Sequence, residues 1–138
     1  NEGVTGIVKQ TPGAVGYVEL AYAEQNQLAY AELKNLAGNF VAPSTETTTA
    51  AAAGALAEMQ KDVRVIIVNS PGEQAYPISG FTYILLYQQQ QDAQKKTALL
   101  DFLNWAIGDG QQFAGPLGYA PLPAEIVELN KQALAGIK

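Results

Sequence analysis

The sequence predicts a mixed α/β fold. Stretches in which apolar residues recur at helical spacing are interleaved with stretches in which they alternate as in a β-strand. Glycine and proline residues separate the two kinds of stretch. The chain has 138 residues, of which 48% are hydrophobic and 15% charged. This is the length of one domain and is enough to bury a core of ordinary size.

The first predicted element is a helix over residues 2–11. Val4, Ile7 and Val8 recur at positions i, i+3 and i+4, so they form one apolar stripe along it. Pro12 and the glycine that follows it end the helix, because proline cannot continue a helix and glycine favours its C-terminal end.

A strand is predicted next, over residues 15–20. Its side chains alternate, so that Val15 and Tyr17 lie on one face and Gly16 lies on the other. Gly13 and Gly16 flank the start of this strand. Glycine in or beside a strand predicts that another part of the backbone comes close.

A hairpin and a helix follow. Residues 27–41 alternate in the manner of two paired strands, and Asn39 supplies the turn. The alanine-rich residues 46–60 favour a single helix by propensity. Ser44 or Thr45 is the predicted N-cap of that helix, because a hydroxyl there accepts a hydrogen bond from the first turn.

Two further strands are predicted in the middle of the chain. Residues 63–68 form a short strand-like run that ends in a turn beginning at Asn69. Residues 77–87 form the strongest predicted strand, since they are long, uncharged and rich in aromatic and β-branched residues. Such a run is typical of a strand that is buried on both faces of a sheet.

Two helices are predicted near the C-terminal end. Residues 92–107 carry one apolar stripe and are followed by glycine, and a short helical turn is expected at 111–113. A last helix is predicted over 123–135, entered through prolines. The apolar stripes consist of Leu99, Phe102, Leu103, Ala106 and Ile107 in the first helix and Ile126, Leu129 and Leu134 in the second.

The composition excludes several classes of protein. The net charge is −5, Arg64 is the single arginine and the lysines are scattered, so there is no basic face for nucleic acid or for an anionic membrane. The chain has no cysteine and no histidine, which excludes Cys/His zinc sites and Ser-His or Cys-His catalysis. No apolar run is long enough to cross a membrane.

Three carboxylates are candidates for acid-base chemistry: Glu19, Glu24 and Glu32. A carboxylate hydrolase would need two of them to face one substrate. Their spacing does not require this, so solvated surface is the preferred interpretation.

Two segments bear a partial likeness to anion sites. The stretch from Gly13 to Gly16 leads into a strand and lacks a following Lys-Ser/Thr, so it is a poor nucleotide motif and an ordinary tight turn. The hydroxyls of Ser44 and Thr45 stand at a helix N-terminus, where free N–H groups can bind an anion. Glu46 would repel an anion there, so simple capping is preferred.

Aromatic residues and one glycine could mark a pocket. The aromatic residues fall at strand and helix spacing, which more often indicates core. Ser79 precedes Gly80 inside a predicted strand, and this glycine would let a ligand or another backbone come close, as at a crossing between domains. The aromatic residues are Tyr76, Tyr83, Tyr87, Phe102, Trp105 and Phe113.

Six segments, taken in order and spacing, resemble the phosphate-binding proteins that serve bacterial ABC importers. The resemblance covers nearly the whole chain and is weakest at about residues 50–70. Each segment alone is moderately specific, and their shared order makes the resemblance strong. The segments are Asn1–Val4, Gly13–Glu19, Ala21–Ala23, Tyr76–Leu86, Leu100–Ala106 and Leu117–Pro123.

The resemblance implies a type II periplasmic-binding-protein fold. In that fold, two α/β lobes with mixed sheets and flanking helices close around one phosphate, and two chain crossings form the hinge. The chain corresponds to the C-terminal half. Residues 1–74 would belong to the second lobe, and residues 75–138 would form the return crossing and the C-terminal part of the first lobe.

The resemblance also implies where the ligand groups lie. The family holds the anion with hydroxyls, backbone N–H groups, an Asp and an Arg, which suit a dehydrated oxyanion. These groups, including a Ser-Gly-Thr helix start, are expected upstream of Asn1. No residue of this chain matches them, and Arg64 does not match by context. No phosphate-binding, catalytic or metal residue is therefore assigned, and no cofactor is expected.

The expected function is that of a receptor portion for inorganic phosphate, located in the periplasm or on the outer cell surface, with any signal segment outside this chain. Its expected partners are the membrane subunits of the importer. The portion alone is expected not to bind phosphate. Because a half-protein exposes strand edges, an alternative is a self-associating domain without a ligand site, such as a swapped dimer. A carboxylate-dependent hydrolase is a third, less favoured interpretation.

Overall fold

The computed structural model describes all residues from Asn1 to Lys138. It contains six α-helices, two short 3₁₀ turns and one two-stranded antiparallel sheet. The helices are α1 Glu2–Gln10, α2 Leu20–Gln25, α3 Thr45–Gly54, α4 Leu56–Met59, α5 Ala93–Ile107 and α6 Ala124–Ala135. The strands are β1 Leu33–Lys34 and β2 Phe40–Val41, and the 3₁₀ turns are Asp109–Phe113 and Gly115–Leu117.

The three helices predicted from apolar spacing are confirmed as α1, α5 and α6. The clearest local signal is Asp92, whose carboxylate accepts hydrogen bonds from the N–H groups of Gln94 and Lys95 at 2.9 and 3.1 Å and so caps α5. The predicted helical turn at 111–113 is also confirmed, as part of the first 3₁₀ turn. No helix has the length and apolar character that a membrane span requires.

The single helix predicted over 46–60 is wrong, because the structure divides it into α3 and α4. The break falls after Gly54, where the backbone passes against the turn that contains Ser70 and Pro71. A Cβ atom on Gly54 would overlap the carbonyl oxygen of Pro71 and would lie 2.6 Å from Ser70 Oγ. The helix propensity of alanine favours a continuous helix here, but propensity is a local property and does not include this contact with a distant part of the chain.

The predicted hairpin is confirmed over its second part only. Leu33 pairs with Val41 and Lys34 with Phe40, but residues 27–32 take no part in the sheet. The buried side chain of Asn35 holds the turn, since its Oδ1 accepts from the Asn39 N–H at 3.0 Å. Its amide nitrogen lies 2.9 to 3.2 Å from the carbonyl oxygens of Gly72, Glu73 and Ala75, so it fastens the hairpin to that loop.

The strands predicted over 15–20, 63–68 and 77–87 are not strands of a sheet in this structure. Leu20 already belongs to α2, and the other residues are extended without a ladder of backbone hydrogen bonds. The alternation of faces is nevertheless correct in the first two segments, with every second side chain turned inward. A strand needs a partner at hydrogen-bonding distance, and the chain supplies none to these segments.

The expected burial of residues 77–87 on both faces is also wrong. Ile84 and Tyr87 are exposed, and Leu85 is 92% exposed. The first part of the segment does pack, because the ring of Phe81 lies against the core and Tyr83 Oη donates to the Val65 carbonyl at 2.8 Å. The mixed sheet with flanking helices that the sequence predicted is thus reduced to one short hairpin beside helices.

The core is small and lies where α3 and α4 meet α6. Ile67 and Ile126 are its two large side chains that are almost completely buried. The other members are small or flexible: Ala52, Ala55 and Met59, with Leu56, Val65, Phe81, Leu122 and Leu129 packed around them.

The chain as a whole is unusually open. Only 14 of the 138 residues are buried, and the accessible surface is 9564 Å². A folded monomer of this mass, 14.6 kDa, usually exposes roughly 6,900 Å². The structure therefore carries about 2,700 Å² of surface that a monomeric domain of this size would cover.

The residues after the second 3₁₀ turn cross back over the N-terminal part of the chain. Gly118 has φ +78°, and a Cβ there would lie 2.8 Å from Ala21 Cβ. Tyr119 Oη donates to Glu19 at 3.3 Å, and Thr49 Oγ1 donates to the Pro121 carbonyl at 3.2 Å. This crossing joins α2 and α3 to the C-terminal helices.

Candidate functional site

A groove of about 750 Å³ lies on the N-terminal side of the molecule. Its walls are α1, the extended residues 14–19, residues 28–31, the start of α3 and residues 76–80. Most of the lining side chains are apolar. We call this feature the N-terminal groove.

The polar groups of the N-terminal groove are nearly all hydroxyls. Thr5, Ser44, Thr45, Thr48 and Ser79 line it, together with the phenol groups of its tyrosines. Glu19 is the one charged side chain in the lining, and no lysine or arginine contributes. The Glu19 carboxylate would repel a dianion in this groove. No cationic side chain is present in the lining to form charge-assisted hydrogen bonds with such an anion.

The start of α3 is closed to an anion by its own cap. Ser44 Oγ accepts from the Thr47 N–H at 3.1 Å, and Thr47 Oγ1 accepts from the Ser44 N–H at 2.9 Å. This reciprocal pair confirms the prediction that Ser44 caps the helix. The backbone N–H of Glu46, with help from the Ser44 and Thr45 hydroxyls, lowers the pKa of the Glu46 carboxyl. A carboxylate thus already occupies the positive end of the helix.

Arg64 lies on the segment after α4 and is engaged outside the groove. Its guanidinium donates to both carboxylate oxygens of Asp62, with Nη2 at 2.6 Å from Oδ2 and Nε at 2.9 Å from Oδ1. This hydrogen bonding lowers the pKa of Asp62 to about 2 and raises that of Arg64. The one arginine of the chain is therefore an exposed partner of Asp62 and contributes nothing to the lining of the groove.

The three candidate carboxylates are not brought together as a catalytic pair. Glu19 lines the groove and accepts from Tyr119, whereas Glu24 and Glu32 are exposed and outside the lining. Residues of the metal-ligating types do not gather in groups of three or more. The arrangement gives no acid-base pair around a substrate.

A second acidic contact, which sequence reasoning missed, lies at the start of α1. Tyr22 Oη donates to Glu2 Oε1 at 3.0 Å, which raises the pKa of Tyr22. The pKa of Glu2 is lowered, chiefly by its own backbone N–H and then by Tyr22. Both groups are on the surface, so the pair joins α1 to α2 without forming a pocket.

The glycine predictions for the first extended segment are confirmed. Gly13 has φ +80° and makes the tight turn, with the Ala14 N–H donating to Thr11 at 3.1 Å. A Cβ on Gly16 would lie 2.8 Å from methyl groups of both Val4 and Val8, so the backbone here packs directly on α1.

Ser79 and Gly80 both border the N-terminal groove. Ser79 is buried and its Oγ donates to the Tyr76 carbonyl at 3.0 Å. A Cβ on Gly80 would meet no atom within 4 Å. The space beside its Cα is open, so the role of Gly80 at a crossing between domains stays a prediction.

The expectation that the aromatic residues are core is wrong for five of the six. Phe102, Trp105 and Phe113 form a chain of rings with centroids 5.9 and 6.1 Å apart, but each ring is about half exposed. Tyr83 and Tyr87 are also exposed. Tyr76 is partly buried in the groove wall, which raises its pKa through desolvation. Spacing alone places aromatics on one face, but it does not supply what covers that face.

Thr5 is a buried polar residue of the groove that the sequence did not indicate. Its side chain is buried, and Oγ1 has no hydrogen-bond partner. A buried hydroxyl without a partner is unfavourable, so an atom outside this chain would stabilise it. A polar residue on the inner face of an amphipathic helix was the only available sequence signal.

Comparison with known proteins identifies the class of this chain. A family model described as "PBP superfamily domain" matches residues 1–109, so the chain belongs to the PBP superfamily. This confirms the resemblance seen in the sequence.

Individual relatives within this superfamily are named as phosphate-binding proteins. The chain is 45% identical over 128 residues to the phosphate-binding protein PstS of Xylella fastidiosa strain 9a5c, covering 93% of this chain and 35% of the relative. It is 42% identical over 131 residues to the phosphate-binding protein PstS of Haemophilus influenzae, covering 95% and 39%. It is 35% identical over 151 residues to that of Methanocaldococcus jannaschii, covering 100% and 38%. The chain thus spans between a third and two-fifths of the length of these relatives.

Proposed function

We propose that this chain is the C-terminal portion of the solute-binding component of an ABC importer for inorganic phosphate. The observation that carries the proposal is the 45% identity, over 93% of the chain, to a protein named as phosphate-binding. The groove supports the second half of the proposal, that the portion alone does not bind phosphate. Its only charged lining residue is Glu19, and Arg64 is paired with Asp62 elsewhere.

The proposed fold is the two-lobe type II arrangement. Residues 1–74 form part of the second lobe, and residues 75–138 form the return crossing and the C-terminal part of the first lobe. In support, α1 contacts α2 within the first range, and α5 contacts the first 3₁₀ turn and α6 within the second, while α4 packs on α6 across the boundary between the two ranges. The exposed extended segments support it too, because they have strand-like alternation and lack only sheet partners.

The partners and location follow from the same proposal. The complete receptor delivers phosphate to the membrane subunits of the importer, in the periplasm or on the outer cell surface. Its role is binding and not catalysis. The dispersed positions of Glu19, Glu24 and Glu32 support this, because a carboxylate hydrolase needs two of them around one bond.

A chimeric receptor tests the proposed function. This chain replaces the aligned portion of the Xylella fastidiosa protein, and phosphate binding is measured by calorimetry in phosphate-free buffer. We expect the chimera to bind phosphate with one site. The control is the same receptor with the aligned portion deleted, which should not bind. A chimera that folds as a monomer and gives no heat would contradict the proposal.

A second candidate function is a self-associating domain without a ligand site. The observation that favours it is the exposed surface of 9564 Å², about 2,700 Å² more than a monomer of this size usually shows. Exposed strand edges pair readily with other chains. In this view the isolated chain forms a homodimer or a swapped oligomer, and a phosphate titration of the chimera separates the two functions.

A further inference from the structure

The core of the molecule joins two parts of the sequence that lie on either side of the proposed lobe boundary between residues 74 and 75. Its two large buried side chains are Ile67, before the boundary, and Ile126, in α6. The other buried members belong to α3, to α4 and to Ala55 between them, and α5 contributes no residue to the cluster. Separating α6 from α3 and α4 would expose both isoleucines to water, so these three helices are held together.

The segment 118–122, which leads into α6, is attached to the same side of the boundary. Tyr119 Oη donates to Glu19, the N-cap residue of α2, at 3.3 Å. Thr49 Oγ1, in α3, donates to the Pro121 carbonyl at 3.2 Å. These bonds add to the core contact, so α6 and the segment before it are both fastened to residues that precede the boundary.

The attachment of α5 to α6 is weaker. The two helices touch, but Leu103 is the one buried residue of α5. The Gln111 side chain links the end of α5 to the segment before α6, since its Oε1 accepts from the Leu122 N–H and its Nε2 donates to the Ala106 carbonyl, both at 2.8 Å. Hydrogen bonds exchange for bonds to water at a small net cost, so this link can open while the core stays closed.

A short turn lies on the connection between α5 and α6. It is the second 3₁₀ turn, Gly115–Leu117, which is followed by Gly118 with φ +78°. A Cβ on Gly115 would meet no atom within 4 Å, so packing does not fix the backbone there. Hinges are a few residues in loops or at the ends of elements that absorb changes in φ and ψ, and this turn has that position.

We propose that residues 118–135 form one rigid body with α3 and α4, and that the turn Gly115–Leu117 is a hinge between this body and α5. The inference rests on the proposed function in one respect, because the movement at the hinge is the lobe closure that accompanies phosphate binding. It refines the proposed lobe division: α6 moves with the second lobe, whereas α5 moves with the first.

Hydrogen exchange in the 138-residue chain tests the rigid body without phosphate. Ile126→Val removes one carbon from the core, so it should accelerate the exchange of amides in α4 and α6 by a common factor of about 2 to 10. The amides of α5 should be much less affected. The matched control is Leu103→Val, which also removes one carbon from a buried side chain and should accelerate α5 without α4.

Two results of this experiment would overturn the proposal. In one, Ile126→Val accelerates α5 together with α6 and leaves α4 unchanged, which would attach α6 to the wrong helix. In the other, all helices respond equally to both variants, which would make the chain one cooperative unit without a hinge.

Distances between spin labels in the chimeric receptor test the hinge. The labels are attached to cysteines at three exposed positions: Glu58→Cys in α4, Lys131→Cys in α6 and Lys95→Cys in α5. Saturating phosphate should leave the distance from position 58 to position 131 unchanged, and it should change the distance from position 95 to position 131. The opposite result would overturn the proposal, as would two unchanged distances in a chimera that binds phosphate.

Calorimetry on the same labelled chimera reports the proposed function separately. A chimera that binds no phosphate would refute that function, and the hydrogen exchange of the 138-residue chain would still decide whether α6 belongs with α3 and α4. A chimera that binds phosphate while positions 58 and 131 move apart would support the function and refute the rigid body. The two failures are therefore distinguishable.

Discussion

The core around Ile67 and the extended segment around Gly16 begin from similar sequence patterns and reach different ends. Both Ile67 and Val15 stand in short alternating runs that predict a strand. Ile67 is 1% exposed, because α4 and α6 close over it, whereas Val15 is 97% exposed. The alternation of residues along an extended segment therefore determines which face a side chain lies on. Its burial depends on whether another helix or strand of the chain packs on that face.

The inner and outer faces of the 63–68 segment should contribute very differently to the free energy of unfolding. Ile67→Ala should reduce the free energy of unfolding by about 2 to 5 kcal/mol, through lost burial and a cavity. The neighbouring Ile66 is 85% exposed, so Ile66→Ala should change it by less than about 0.5 kcal/mol. Urea unfolding of both variants measures the difference, and two similar losses would show that this core does not exist in solution.

Two glycine-to-alanine substitutions compare a position where the backbone is in close contact with another segment and a position where it is open. Gly54→Ala should cost about 1 to 3 kcal/mol, because its Cβ would overlap the Pro71 carbonyl. Gly6→Ala in α1 meets no atom within 4 Å, so it should be neutral or should stabilise by up to about 1 kcal/mol. Thermal melts of the two variants should shift in opposite directions or by clearly different amounts. A Gly54→Ala variant as stable as the parent would refute the close contact between α3 and Pro71.

The hairpin is held to the 72–75 loop by hydrogen bonds of Asn35, and replacing Asn35 measures what these bonds contribute to stability. Asn35→Ala should cost about 1 to 3 kcal/mol, because it removes the donor to the buried Ala75 carbonyl and the part-buried bond to the Glu73 carbonyl. The control is Asn104→Ala, which removes an exposed bond to Leu100 and should cost less than about 1 kcal/mol. Equal midpoints in urea would mean that the hairpin is not anchored through Asn35.

The smallest expected effect concerns the pair of Asp62 and Arg64 on the solvent side of the core. The pKa of Asp62 is lowered from 3.8 to about 2, first by the guanidinium hydrogen bond and then by the Arg64 N–H. A lowered carboxyl pKa contributes stability above pH 4, and this contribution is lost as the pH falls from about 4 to about 2.

Titration of Asp62 by NMR measures this effect. The midpoint should lie near 2 in the parent and should move back toward 3.8 in Arg64→Gln. Lys61→Gln removes an adjacent cation that makes no ion pair with Asp62, and it should leave the midpoint unchanged. An unshifted midpoint in the parent would show that the pair does not persist in solution.

Local signals in the sequence were sufficient for the helices and insufficient for the sheet. Ser44 caps its helix as predicted, and the structure adds Asp92 as the cap of α5; both caps are formed within four residues. The strands at 15–20 and 77–87 needed partners from elsewhere, and the chain supplies none. The break at Gly54 depends on Pro71, which no local propensity describes.

The assignment of no phosphate ligand to this chain stays a prediction. The sequence did not indicate the N-terminal groove, whose one charged lining side chain is Glu19. The buried Thr5 and the anchoring Asn35 were missed, because single polar residues in such patterns resemble surface residues. The pairing of Arg64 with Asp62 depends on a bend of the chain that spacing did not show.

We propose that this chain is a portion of a phosphate receptor whose ligand groups lie outside it. A calorimetric titration of phosphate into the 138-residue chain, in phosphate-free buffer, tests this most directly. We expect no binding heat, because the groove has no cation in its lining and the Glu46 carboxylate lies at the start of α3. Tight binding would contradict it, and the affinities of Thr45→Ala, Ser79→Ala and Arg64→Gln would then locate the site.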